Sequence, residues 1–441
     1  DAETERVLEA YQRSIDDDLV DSELIVALIE HIYEGAGPGS DFILVFLPGW
    51  SDIQQVMDDM ATHHLLGNRA LVRVLPLHSG VPVRDQRRVF ERVPPGVLKV
   101  VLSTNIAETS VTIDDVVYVI DSGKHKQKMH DAHTGCVSLV SAWTSKASAR
   151  QRAGRAGRVQ PGICYHLFSK ARHDAMDDNT PAEMLRTPLE ELCLQVRLIL
   201  ARARHVWGPN ESISSFLARA LEAPPPLAVQ QAIVNLVTIG ALELSISESL
   251  TPLGAALAQI PLEPKLGRMV LWGVLLRCLD PVLTIACAMG YRSPFVLPVA
   301  GNRSDADRAK ARMVQGAKSD HLALLGAFEG FVRAERSGGA GAAHSFCRSN
   351  FLSYSVLQTV RGMRQQIVDE LLRVQVISPE DLSGRVNEFS RCFPVVAAAL
   401  AGGLYPGVAR RIPPDPKLES RDGRKFTIHG SSVNGPGAIS R

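Results

Sequence analysis

Residues 42–47 read Phe-Ile-Leu-Val-Phe-Leu, and Pro48-Gly49 follows at once. An unbroken apolar run of this length, closed by a turn signal, is how a strand buried on both faces reads. Such a strand needs companions and a helical cover on each side. Further strand-like runs occur at Leu71–Leu75, Val97–Leu102, Val116–Ile120 and Ile163–Phe168, and helical stretches separate the first three. Ahead of them, Asp21–Tyr33 reads as an amphipathic helix with Leu24, Ile25, Leu28, Ile29 and Ile32 on one face. Alternation of this kind predicts βαβ units and an α/β parallel sheet. In such sheets the working residues sit on loops at the carboxyl ends of strands.

From about Asp178 the pattern turns helical. Thr187-Pro-Leu-Glu190 has the form of a capping box with proline at the first helical position, and it predicts a helix to about Leu200. Ala228–Ile239 reads as a second helix closed by Gly240. Ala241–Leu250 alternates like a short β element, and Thr251-Pro252 opens another helix. Helix, helix and short β-wing is the order of a winged helix, here with a structural role. Residues 263–375 are almost wholly helical, with Ser337-Gly-Gly-Ala-Gly341 read as a flexible surface loop. After about Ser390 the turn signals Gly402-Gly403, Tyr405-Pro-Gly407, Pro413-Pro414 and Asp422-Gly423 leave short strand-like stretches between them. These resemble the start of a small oligonucleotide-binding (OB) barrel, with about half the strands it requires.

The 441 residues suffice for two to four domains. A formal net charge of +1 excludes a polycation, so any nucleic-acid contact must come from local charge or backbone groups. Cys136, Cys164, Cys193, Cys278, Cys287, Cys347 and Cys392 form no C-x-x-C pair, which argues against a zinc site or disulfide framework and for reduced intracellular thiols. No apolar run reaches the roughly 18 residues of a membrane span, and no membrane partner is expected. The first residues are acidic and have no signal or transit pattern. The expected location is intracellular, with the compartment open between cytoplasm, nucleus and mitochondrion.

The strongest chemical signal is Ser148-Ala-Arg-Gln151-Arg152-Ala-Gly154-Arg155-Ala-Gly157-Arg158. Four arginines in nine residues, interleaved with glycine and glutamine, make a poor core. They suit convergence on phosphate, because arginine offers planar bidentate donors and glycine permits close backbone approach. A glutamine can orient an attacking water and arginines can stabilise a transferring phosphoryl group. A solvated basic helix face is the alternative, and such faces rarely interleave residues this way.

Residues 151–158, Gln-Arg-Ala-Gly-Arg-Ala-Gly-Arg, resemble motif VI of superfamily 2 helicases. Residues 103–114, Ser-Thr-Asn-Ile-Ala-Glu-Thr-Ser-Val-Thr-Ile-Asp, resemble motif V of the DEAH/RHA family, and Leu47-Pro-Gly-Trp-Ser-Asp-Ile53 resembles its motif IV. Leu185–Glu191 resembles the family's entry to a winged helix; Leu279–Ile285, Ser319–Leu322 and Asn350–Ser353 its helical ratchet; Leu404–Pro406 and Ile428–Asn434 its OB domain. The wording is most similar to the branch that contains RNA helicase A and the G-quadruplex-resolving helicases. The resemblance implies a second RecA-like domain over 1–175, a winged helix over 176–255, a ratchet over 256–385 and a partial OB fold over 386–441.

It also implies roles. Gln151 would position the hydrolytic water, and Arg155 and Arg158 would be arginine fingers on ATP. Thr112 and Asp114 would contact the ribose. Phe90 matches the aromatic that stacks on adenine, with a core phenylalanine as the equal alternative. Thr104 and Asn105 would hold RNA phosphates, against simple capping of a helix. Trp50 and Ser51 would lie where RNA passes, although Trp50 also reads as a surface-packed residue. Lys124-His-Lys-Gln-Lys128, with Asp131-Ala-His-Thr-Gly135, falls where the family places a strand-separating hairpin, so Lys124, Lys126 and Lys128 become RNA contacts, against a solvated lysine run. His429, Ser431 and Ser432 would touch the RNA backbone in the OB-like tail; the family often has proline where Gly430 stands. No metal ligands are expected among these residues.

No G-x-x-x-x-G-K-[ST] and no Asp-Glu-x-His occurs. In the family both belong to a first RecA-like domain, which would hold Mg²⁺ with ATP and complete the site. The chain is therefore expected to be part of a longer ATP-dependent RNA helicase, inactive without that domain of the same polypeptide. Its partners would be single-stranded or structured RNA and accessory or ribonucleoprotein factors. The rivals are a catalytically silent RNA-binding scaffold and a DNA helicase.

Overall fold

The computed structural model describes residues 3, 6–7, 10–11, 16, 19–36, 42–109, 113–131, 136–208, 211–245, 248–296, 303–314, 318–382, 384–412, 417–421 and 423–435. They form two compact units. The first takes Asp1–His130 and Val137–Arg186, and the second takes Thr187–Arg441 with Asp131–Cys136.

The first unit is built on five parallel strands: β1 (Phe42–Phe46), β2 (Val72–Leu77), β3 (Leu98–Ser103), β4 (Tyr118–Asp121) and β7 (Ile163–His166). Their order across the sheet is β2-β3-β1-β4-β7. β5 (Lys124–Asp131) and β6 (Cys136–Trp143) pair separately as a two-stranded hairpin. The central strand explains the opening sequence run. Ile43 and Val45 face one core, shared with Ile25, Ile29 and Ile53, while Phe42, Leu44 and Phe46 face another with Val89, Ala107 and Val116. Alternate side chains leave opposite faces of a strand, so a strand buried on both sides has no polar positions to spare. The five predicted strands and the helix Ser22–Ala36 all form, with ends shifted by up to three residues.

The second unit is largely helical. Its core joins the helices Pro264–Leu275, Leu279–Gly290, Asp320–Ser349, Tyr354–Arg373 and Phe393–Leu404. One expectation fails here and two are refined. The helix predicted from Thr187 starts at Glu190, with Leu189 at the cap position. The loop predicted at 337–341 is a tight break within the run Asp320–Ser349: only Gly338 and Gly339 leave helical geometry, Gly339 at φ +66°. There the chain folds back, since a Cβ at Gly330 would sit 2.3 Å from the Phe346 ring. Gly402-Gly403, by contrast, is no turn. A Cβ at Gly403 would lie 2.3 Å from Met269 Cβ, so these glycines let the helix Phe393–Leu404 press against Pro264–Leu275.

Other expectations hold. The helix Pro226–Thr238 ends before Gly240 at φ +80°. A bridge pairs Leu242 with Leu250, and Thr251 caps the helix Pro252–Leu257 by accepting from Gly254 N. Strand structure past Ser390 starts only with β8 (Ala409–Arg411), which pairs antiparallel with β9 (Leu418–Ser420), and β9 with β10 (Lys425–Phe426). Among the described residues no helix is long and apolar enough to cross a membrane. The described cysteines are free, and burial pushes the Cys193 and Cys287 thiols up to about 12, where they are poor nucleophiles.

Candidate functional site

The chemistry-bearing loops of the first unit gather at the carboxyl ends of its strands, as a parallel sheet dictates. β1 leads into Trp50 and Ser51, β2 into His78, β3 into Thr104 and Asn105, and β4 ends at Asp121. The helix Lys146–Ala153 packs beside them. Its cap is Ser145, whose hydroxyl accepts from Ser148 N at 3.2 Å.

Arg152 organises this edge. Its side chain is 1% exposed. Nε donates to Glu108 Oε2 at 3.0 Å; Nη1 donates to Asp121 Oδ1 at 2.8 Å and to the Lys124 carbonyl at 3.2 Å. The guanidinium also lies 5.1 Å from the centre of the Phe46 ring. One side chain thereby ties the arginine-rich helix to the turn after β3, the end of β4 and the foot of the hairpin. Asp121 accepts from Gly123 N at 2.9 Å and sits 3.3 Å from His166 Nδ1. Burial pushes the Asp121 carboxyl up, but the His166 contact and the Arg152 charge overcome this and hold it below the usual carboxylate range. A buried ion triad of this kind survives only because each charge is met by geometry this close.

The neighbouring arginines differ. Arg155 is half-buried and donates to the Glu108 carbonyl. Burial and then the positive Arg158 lower its pKa, so two cations are held close to one another. Arg158 and Gln151 are exposed. Gly157 adopts φ +80°, the left-handed region natural to glycine. Gly162 answers a different demand: a Cβ there would lie 2.5 Å from Gly157 N and 2.7 Å from the Val117 carbonyl. The helix thus turns Arg152 inward as a brace, while past its end Arg155 is half-buried and Arg158 is exposed.

The other predicted residues separate by burial. Phe90 is 54% exposed at the end of a short 3-10 turn, so the core reading fails for it. Asp114 is exposed, while Thr112 lies outside the described residues. Asn105 is exposed, but Thr104 is buried, and its N–H donates to the Leu77 carbonyl at 3.3 Å. Trp50 begins a helix and packs 5.7 Å from the His78 ring. Ser51 is exposed and donates to Asp52 at 3.2 Å. A Cβ on Gly49 would lie 3.0 Å from Lys126 Cε, so the loop after β1 and the hairpin foot share one surface. Lys126 and Lys128 are exposed.

Lys124 is a correction. It is 4% exposed; its ammonium donates to the Leu19 carbonyl at 3.2 Å and lies 4.6 Å from the centre of the Trp143 ring. Alternation puts Lys124, Lys126 and Lys128 on one face of β5, so what sets Lys124 apart is its place at the foot of the hairpin, where Leu19 and Trp143 cover it. Residues 132–135 of the expected hairpin tip lie outside the described residues.

In the second unit, Ser432 is a further correction. Its hydroxyl donates to Asp320, Val433 N donates to the same carboxylate at 3.2 Å, and Lys310 lies 2.6 Å from it. The loop is thus fastened to the start of the helix Asp320–Ser349. His429 and Ser431 remain exposed and bond to each other at 2.8 Å. Sequence reading missed Glu108, Asp121 and the inward turn of Arg152. The available signal was an acid placed directly after the apolar stretch of β4, where a buried strand meets the loop edge.

Residues 25–160 match the helicase conserved C-terminal domain family, and residues 263–324 match the helicase associated domain (HA2), ratchet-like. The chain belongs to the DEAH/RHA, or DExH-box, helicases. It is 43% identical over 417 residues to the DExH-box ATP-dependent RNA helicase DExH1 of Arabidopsis thaliana, covering 94% of this chain and 40% of that protein. It is 42% identical over 399 residues to the ATP-dependent DNA/RNA helicase DHX36 of Homo sapiens, covering 90% of this chain and 38% of that protein. The chain therefore spans about two fifths of the length of the curated relatives it matches.

Proposed function

We propose that this chain is the second half of an RNA-stimulated ATPase motor, with its fingers and nucleic-acid contacts on the loops described above. The single observation that carries the reading is the division of labour in residues 151–158: Arg152 is buried against two carboxylates while Gln151 and Arg158 face outward and Arg155 is poised between. In this reading Arg155 and Arg158 neutralise charge on the phosphates, and Gln151 orients the attacking water. Phe90 stacks on the base, and Thr112 and Asp114 hold the ribose.

The residues present fit the nucleotide but not its metal. Glu108 and Asp121, the carboxylates beside the arginines, are both engaged by Arg152, so the Mg²⁺ ligands belong to a first RecA-like domain. ATP, when bound, supplies the phosphoanhydride that is cleaved. Trp50, Ser51, Asn105, Lys126 and Lys128 contact the nucleic-acid backbone, joined in the second unit by His429 and Ser431. Backbone contact sets position without reading sequence. The winged helix (176–255), ratchet (256–385) and OB-like tail (386–441) would grip RNA while the paired RecA-like domains open and close, driving 3′→5′ movement and ribonucleoprotein remodelling. Two relatives, one named for RNA and one for DNA and RNA, support nucleic acid as the partner and RNA as the first choice.

The test is ATP turnover by the polypeptide carrying both RecA-like domains, with and without single-stranded RNA. Turnover that rises with RNA supports the motor. RNA binding with no turnover replaces it with a helicase-shaped scaffold.

A further inference from the structure

One face of the helix Asp320–Ser349 remains unused by the reading above. Leu322, Leu325, Glu329, Val332, Arg333 and Arg336 fall on it at helical spacing and form one wall of a cavity of about 750 Å³. The start of the helix Leu279–Gly290, Arg364 and the segment 390–393 enclose the rest. The cavity is a half-open cleft whose volume falls within the range of ligand pockets.

The wall divides into neutral and charged parts. Arg364 is already satisfied: it donates to the Asp280 carbonyl at 2.8 Å, to the Asp280 carboxylate and to the Thr284 hydroxyl, and it lies 5.1 Å from the centre of the Phe328 ring. Arg364 and Asp280 therefore cancel. Arg333, Arg336 and Arg391 are exposed, and none has a hydrogen bond or ion pair among the described residues. Against these three cations stands one unengaged carboxylate, Glu329. The floor beneath is apolar, with Val314, Leu325 and Phe328 all buried.

We propose that this cavity docks an acidic peptide segment of a protein partner. Its carboxylates would pair with Arg333, Arg336 and Arg391 in the bidentate geometry arginine favours. An apolar side chain would cover the floor at Leu325. Peptide fits better than nucleic acid on one count. The Glu329 carboxylate repels a phosphate chain, whereas peptide N–H groups can donate to it. The Phe328 ring is covered by Arg364, and Phe393, half exposed in the lining, can pack on an apolar side chain of the peptide.

The test titrates the whole chain into a fluorescein-labelled peptide of acidic residues flanking one leucine-phenylalanine pair, followed by polarisation. Saturable binding is expected. The combined Arg333→Glu, Arg336→Glu and Arg391→Glu variant should weaken it at least about tenfold, and Arg69→Glu, an exposed charge of the other unit, should leave it unchanged. Thermal melts of each variant confirm the fold; the three cavity arginines support no packing, so melting should not move. No binding, or equal loss in the Arg69→Glu control, overturns the proposal. So does a single-stranded RNA oligonucleotide that displaces the peptide and loses its own binding in the triple variant, which would make the cavity a nucleic-acid site.

Discussion

The two units use glycine and charge in different proportions. In the parallel-sheet unit, charge is buried deliberately: Arg152, Glu108 and Asp121 form a closed set at the loop edge, and glycines such as Gly157 set backbone direction. In the helical unit the buried charge among the described residues is Arg197, which donates to the Glu211 carbonyl, and glycine is chiefly a packing device. Gly254, Gly326 and Gly403 each stand where a Cβ would strike a neighbouring backbone within 2.4 Å. The comparison teaches that the same residue types answer different physical demands. In the first unit they hold the loop edge together, and in the second they let helices approach closely.

The sharpest way to break this contrast is Arg152→Ala. It strands two carboxylates in the interior, and losing one partner of a buried ion network costs about 3–5 kcal/mol. Urea unfolding of the chain should register that loss; a change within error would mean the triad is solvated and the contrast false. Next comes Gly254→Ala. Helix propensity favours alanine by about 1 kcal/mol. The new Cβ would lie 1.9 Å from the Ala241 carbonyl, however. Overpacking against backbone costs about 1–3 kcal/mol, so the net sign should be destabilising. Gly362→Ala makes the matched control, because nothing lies within 4 Å of its Cβ position in the helix Tyr354–Arg373. That variant should gain about 1 kcal/mol. Opposite signs for two helical glycines, read from melting curves, sharpen the packing account, and equal signs dissolve it.

A smaller effect concerns pH. The Asp121 carboxyl titrates below the usual range, so its stabilising contribution is complete above that range and is lost as pH falls through the depressed value. Asp121→Asn should therefore flatten the acid limb of stability against pH. An unchanged limb would show that other carboxylates govern acid unfolding. The smallest effect is on nucleic-acid affinity. Lys126→Ala with Lys128→Ala should lower RNA affinity and reduce its salt dependence by about two phosphate contacts, whereas an unaltered salt slope would remove the hairpin lysines from the interface.

Legibility from sequence follows the same division. β1 was plain because a strand buried on both faces leaves no polar positions, and the spacing of residues 151–158 marked them as the leading candidates for phosphate chemistry. Which arginine turns inward was not legible, since Arg152 and Arg155 are alike in sequence and only the positions of Glu108 and Asp121 separate them. Lys124 and Ser432 were misplaced for a related reason: their partners, the Leu19 carbonyl and Asp320, are more than a hundred residues away in the chain. In the helical unit, Gly338-Gly339 and Gly402-Gly403 look identical on paper. One pair reverses a helix and the other lets two helices touch.

The central claim is that Arg152 holds the edge while Arg158 serves a ligand. The most direct measurement is thermal unfolding and RNA-stimulated ATP turnover on the same Arg158→Ala protein, carried in the polypeptide with both RecA-like domains. The account predicts an unchanged melting temperature and turnover reduced by roughly 10³. Turnover retained with normal melting would contradict it, and Arg158 would be an ordinary surface charge.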